Sequence, residues 1–106
     1  MVKRGEIWRV QLDPTVGSEI RKTQPCVIVS PPELNIYLRT VLAAPMTSKG
    51  FAAPFRVPVT HAGVRGLILL DQMRAIDKTR LIDRRGAVSA KTLAAILATL
   101  QEMFAA

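Results

Sequence analysis

At 106 residues the chain suits one domain, and a hydrophobic content of 49% suffices for a single compact core, which excludes a disordered chain. Fifteen Lys and Arg against eight Asp and Glu leave a net charge of +7. Residues 89–106 hold only Lys91 and Glu102, so the whole excess lies in residues 1–88. That asymmetry points to a basic face and a polyanionic partner, not to a uniformly basic coat.

The lone cysteine, Cys26, excludes an intrachain disulfide and fits a reducing compartment. It sits in Cys26-Val27-Ile28-Val29, where it reads as a small buried hydrophobe and not a catalytic thiol. Residues 1–25 lack the apolar core of a signal peptide, and no run approaches the roughly 20 apolar residues that span a bilayer. A cytoplasmic protein with no membrane partner is expected.

In chain order, Gly5 to Leu12 alternates in polarity and predicts a half-buried strand, ended by Asp13-Pro14-Thr15. Val16 to Gln24 is polar and reads as a loop. Pro25 opens the apolar, β-branched run Cys26 to Ser30, a central strand stopped by Pro31-Pro32. Glu33-Leu34-Asn35 suits one helical turn. Arg39 to Ala44 reads as a buried strand closed by Pro45, followed by a turn at Thr47-Ser48-Lys49-Gly50. Phe55 to Val59 alternates, and Pro58 marks an edge or a strand end. His61 to Gly66 reads as a turn, Gly66 to Leu70 as an apolar strand, and Asp71 to Ile76 as its polar-interrupted continuation. Asp77 to Arg85 is charged, with one short helical turn.

The last element is the clearest. Ser89 can cap a helix, and Leu93, Ile96, Leu97, Leu100 and Phe104 recur at helical spacing among alanines. A helix over about 89–104 is predicted, its apolar stripe serving the core or a dimer contact. Short strands followed by one helix predict a mainly β fold, an antiparallel, partly closed barrel with a C-terminal helix, in a single domain over residues 1–106.

Several chemistries lack their residues. There is no phosphate-binding glycine loop, no dinucleotide fingerprint and no zinc-ligand spacing. The only histidine, His61, lies in a glycine-flanked turn, where the ordinary reading is an exposed side chain. The chemistry is therefore expected to need no cofactor, no metal and no histidine. Single-stranded RNA suits the residues that remain. Its ribose 2′-hydroxyl is a built-in nucleophile, so the protein has only to move protons and stabilise charge on the phosphorus.

Four stretches carry a resemblance to a known family. They are Lys3-Arg4-Gly5-Glu6-Ile7-Trp8, Leu12-Asp13-Pro14-Thr15-Val16-Gly17-Ser18-Glu19, Ala44-Pro45-Met46-Thr47-Ser48-Lys49, and Leu70-Asp71-Gln72-Met73-Arg74-Ala75-Ile76-Asp77. In order and spacing the chain resembles the MazF/PemK/Kid toxins of bacterial toxin–antitoxin systems. The resemblance implies an SH3-like barrel, usually a homodimer. It implies a metal-independent endoribonuclease that cuts single-stranded RNA at short sequences. It also implies an antitoxin with an acidic, largely disordered tail that competes for the basic face.

Site residues carried over from the family are Thr47, which would bind the scissile phosphate, Glu19 in the first loop, and Asp71, in the place of a proposed base. Arg74 matches the arginine of Asp-Gln-x-Arg. Arg21, Lys22, Ser48, Lys49 and Arg74 are candidate RNA contacts. One departure stands out. The family usually has arginine immediately before the second-strand proline, and here that position is Gln24. An arginine two residues before Asp71 is also replaced, by Leu69. Neutral Gln24 cannot grip phosphate as a bidentate cation, so Arg21 or Lys22 would supply the charge. Two rival readings follow: an inactive toxin that still binds RNA and antitoxin, and a CcdB-like toxin that binds DNA gyrase without catalysis.

Overall fold

The computed structural model describes residues 1–12 and 23–106. They form seven strands and two helices: β1 (Glu6–Gln11), β2 (Thr23–Ile28), α1 (Pro32–Tyr37), β3 (Thr40–Thr47), β4 (Arg56–His61), β5 (Val64–Leu69), β6 (Arg74–Asp77), β7 (Leu81–Ala87) and α2 (Ala90–Met103). The strand order is β4-β5-β3-β2-β1-β7, with β6 also on β3, and every pairing is antiparallel.

The middle of the sheet explains its apolar runs. Along β2 and the residue after it, Cys26 and Ile28 face one hydrophobic cluster while Val27 and Val29 face another. Along β3, Val41 and Ala43 face the first while Leu42 and Ala44 face the second. Strands buried on both faces read as continuous apolar sequence and not as alternation. Helix α2 covers one of these faces through Ile96, with Leu100 and Met103 packed beside it. Ser89 caps the helix, its hydroxyl accepting the Thr92 N–H at 3.1 Å. Phe104 departs from the predicted stripe. It is 73% exposed, and Met103 packs on the core in its place. Four residues past Leu100 the helix has ended, so helical spacing no longer aims Phe104 inward.

Three boundaries differ from the sequence reading. β2 starts at Thr23, before Pro25, because Gln11 and Val10 of β1 pair with Thr23 and Gln24. β3 runs through Pro45 to Thr47. On its far edge β3 pairs with β6 over residues 40–43 and with β5 over residues 46–47. Pro45 falls in the gap between those ladders, so its missing N–H costs that edge no strand–strand bond. A single turn of 3-10 helix at Leu70–Gln72 fills the gap. The third is the charged stretch after Asp77, which forms a 3-10 turn and then a full strand, β7. Arg9 on β1 pairs with Asp83 on β7 at 3.0 Å, and exposed Arg84 and Arg85 line this sheet edge, where charge discourages pairing with other chains.

The sheet curls until its two edge strands approach at one end. A β-carbon on Gly86 of β7 would lie only 3.6 Å from Cε1 of His61, at the end of β4. The result is a curled antiparallel half-barrel with α2 against it, the architecture expected from the element order. None of the helices among the described residues is long and apolar enough to cross a membrane.

Candidate active site

An open groove of about 640 Å³ lies where the start of β2, the end of β3 and the β4–β5 hairpin meet. Gln24, Thr47, Ser48 and Lys49 line it on one side, His61 and Arg65 on the other. Each is delivered by local geometry. Antiparallel pairing of β2 with β3 brings Gln24 beside Met46, and its side-chain amide donates to the Met46 carbonyl at 2.8 Å. The hairpin turns on Ala62 and Gly63, both at positive φ (52° and 77°), a two-residue turn that matches the strand twist. On β4 the alternation places His61 on the same face as Val57 and Val59, towards the inside of the curl.

The groove closes tightly at one point. A β-carbon on Gly66 would sit 2.5 Å from the Thr47 carbonyl oxygen. Only glycine permits this approach, and the approach fixes Thr47 against the hairpin. The Thr47 hydroxyl oxygen accepts the Lys49 N–H at 3.1 Å, which leaves its own proton to donate outward. Lys49 and Arg65 supply positive charge, and no carboxylate is among the described residues lining the groove. Such a concavity suits a phosphodiester.

Asp71 and Arg74 stand apart from that lining. Asp71, on the 3-10 turn, is gripped by Arg56: Nε donates to Oδ1 at 3.2 Å and Nη2 to Oδ2 at 3.1 Å. The Arg56 hydrogen bonds hold its carboxyl below the ordinary value of 3.8, against a small upward push from burial. Arg56 also donates to the Phe51 carbonyl at 3.2 Å and lies 4.9 Å from the centre of the Phe51 ring. Asp71 therefore braces the loop after Thr47. Because the folded carboxyl titrates below its unfolded value, its stabilising contribution is present above about pH 4 and fades as pH falls through the folded value. Asp71→Asn is expected to lower the urea midpoint at pH 7, and the gap from wild type should narrow as pH falls below about 4 towards the folded value. A gap unchanged at pH 3 would mean that the ionised carboxylate contributes nothing.

Arg74 begins β6 opposite Ala43. Cys26 is fully buried, and burial pushes its thiol up to about 12, with Arg74 pulling weakly the other way, so it is inert as a nucleophile near neutrality. Glu19, Arg21 and Lys22 lie outside the described residues. Arg65 is a charged lining residue that no sequence motif marks, and His61 joins the lining although its glycine-flanked position suggested ordinary exposure. His61 is half-buried, not the exposed turn residue expected, because the turn is only two residues long and His61 still belongs to β4.

Residues 3–104 match the family described as PemK-like, MazF-like toxin of type II toxin–antitoxin system. The chain belongs to this PemK/MazF toxin family. Among its relatives, the endoribonuclease PemK of Escherichia coli is 44% identical over 81 residues, covering 72% of this chain and 61% of that protein, so the match spans less than two thirds of its length. Endoribonuclease MazF9 of Mycobacterium tuberculosis is 36% identical over 105 residues, covering 89% of this chain and 88% of its own. The PemK/MazF fold is equally clear in three dimensions. MazF from Deinococcus radiodurans superimposes with a TM-score of 0.78 at 27% identity, over 96% of this chain and 94% of that one. The same toxin solved with MazE gives 0.75 at 25% identity, over the same shares.

Proposed function

We propose that the protein is the toxin of a toxin–antitoxin pair, an endoribonuclease that cleaves single-stranded RNA, mRNA in the cell, by attack of the 2′-hydroxyl on the adjacent phosphorus. The observation that carries this reading is the groove at Gln24, Thr47 and Lys49, concave, cationic and free of carboxylates among its described lining. Thr47 and Ser48 donate to the phosphate, and Lys49 and Arg65 neutralise it. Glu19, Arg21 and Lys22 join through the resemblance, and Lys22 directly precedes Thr23, a lining residue. Arg74 adds to the RNA-binding charge. Asp71 acts by holding Arg56 and the Phe51 loop.

The chemistry calls on no metal and no cofactor. The protein works in the cytoplasm as a homodimer. Its antitoxin is an acidic chain that occupies the same basic groove and excludes RNA.

The direct test is incubation of the pure protein with varied single-stranded RNAs in EDTA. Cleavage leaving 5′-hydroxyl ends is expected, with loss of cleavage when antitoxin is added. Intact RNA throughout would overturn the reading, and inhibition of DNA supercoiling by gyrase would favour a gyrase-binding toxin in its place.

A further inference from the structure

We propose that His61 is the general base of this reaction, an assignment that rests on the ribonuclease reading above. The case begins with what else lines the groove. Gln24 does not titrate, and its amide is committed to the Met46 carbonyl at 2.8 Å. The hydroxyls of Thr47 and Ser48 are far too weakly acidic to hold and release a proton near neutrality. Lys49 and Arg65 belong to types that stay protonated there and have no lone pair to offer. Asp71 is outside the lining and locked to Arg56 by two hydrogen bonds. Among the described lining residues, His61 alone carries a ring nitrogen whose lone pair can take up a proton and give it back.

Geometry then seats that imidazole. His61 shares the inner face of β4 with Val57 and Val59, so one side of it rests against the core while another opens on the groove. Across from it stands Gly86, where a β-carbon would come into ordinary contact with the ring, 3.6 Å from Cε1. Gly86 adopts a φ of +144°, where other residues are strained, so the seat resists being filled by substitution. No hydrogen bond among the described residues engages either ring nitrogen. The charged groups carried by the elements around His61 are Lys49 beyond the end of β3, Arg65 on β5, Arg56 at the far end of β4, Asp83, Arg84 and Arg85 on β7, and Lys91 and Glu102 near the two ends of α2. Of these, Lys49 and Arg65 share the groove with His61.

In the step assigned here, a ring nitrogen of neutral His61 takes the 2′-hydroxyl proton as the 2′-oxygen bonds to phosphorus. The bond from phosphorus to O5′ breaks with its electron pair on O5′, which takes a proton from water in the open groove. The products are a 2′,3′-cyclic phosphate and a 5′-hydroxyl, and the imidazolium returns its proton to solvent.

The test compares wild type, His61→Ala and His61→Asn by single-turnover cleavage of one RNA from pH 5 to 8 in EDTA, alongside RNA binding and circular dichroism. Both variants are expected to keep the wild-type spectrum and RNA affinity within about threefold, yet to cleave roughly a hundredfold or more slowly. The wild-type rate should fall on the acid side of this range, and the variants should lose that limb. Variants that cleave within about threefold of wild type, or that keep the acid limb, overturn the assignment while leaving the ribonuclease reading intact. Should His61→Ala misfold, His61→Asn alone decides. A wild type that cuts no RNA at all sinks the ribonuclease reading, and the base with it.

Discussion

Replacing Gln24 with arginine is expected to raise the rate of RNA cleavage roughly ten- to a hundredfold. Gln24 lines the groove beside Thr47, at the position where the family resemblance places a cationic grip. A hydrogen bond to a charged donor contributes about 1.5–3 kcal/mol, against about 0.5–1.5 kcal/mol for a neutral one. An arginine fork offers two such bonds to one phosphate, and these strengthen as negative charge builds on the phosphorane oxygens. The new side chain loses nothing locally, since a guanidinium N–H can also donate to the Met46 carbonyl that Gln24 now satisfies at 2.8 Å. Single-turnover rates for the two proteins on one RNA, in EDTA and at fixed salt, decide the matter. An unchanged rate would show that position 24 does not limit catalysis and that Arg65, Lys49 or the loop before Thr23 already supplies the needed charge.

The second large effect is expected from Gly66→Ala. An added β-carbon would meet the Thr47 carbonyl oxygen at 2.5 Å and the Thr47 carbonyl carbon at 3.2 Å. Both are backbone atoms, so no flexible side chain can swing aside. Strands β3 and β5 must part, and overpacking of this kind costs about 1–3 kcal/mol, occasionally more. The urea midpoint should fall accordingly. Cleavage should fall further than stability alone explains, because Thr47 sits at the point of collision and a shift of about 1 Å in a positioning group can cost on the order of a hundredfold. Measuring cleavage well below the unfolding midpoint separates the two effects. Wild-type stability and activity in this variant would contradict so close an approach.

Both predictions concern residues whose importance is read differently along the chain and across it. Thr47, Ser48, Lys49 and Gln24 stood out as sequence because they fall in or beside recognisable stretches, and the fold brings those four into one groove. Asp71 stood out in the same way, but its partner Arg56 lies fifteen residues away, and only the packing of β4 against the 3-10 turn shows that its carboxylate is already held. The place of His61 and Arg65 in the groove is hidden in the sequence for a related reason. A histidine flanked by small residues looks like a turn tip, and whether it points to solvent depends on the length of the turn and the curl of the sheet.

The strands divide along similar lines. β2 and β3 were legible because burial on both faces demands unbroken apolar sequence. β7 was not, because an edge strand carries charge and its strand partner among the described residues, β1, lies more than seventy residues earlier. Pro45 looked like a terminus and proved to be an interior residue, tolerated by an interruption that another part of the chain creates.

By itself, then, the sequence determined the residue chemistry available, the basic first 88 residues and the C-terminal helix, since composition and short-range periodicity are local properties. The curl that sets β4 beside β7, the gap that accepts Pro45, the pairing of Asp71 with Arg56 and the entry of His61 into the groove were decided by tertiary structure alone. Each depends on contacts between segments far apart in the chain, and no local pattern encodes which of them will meet.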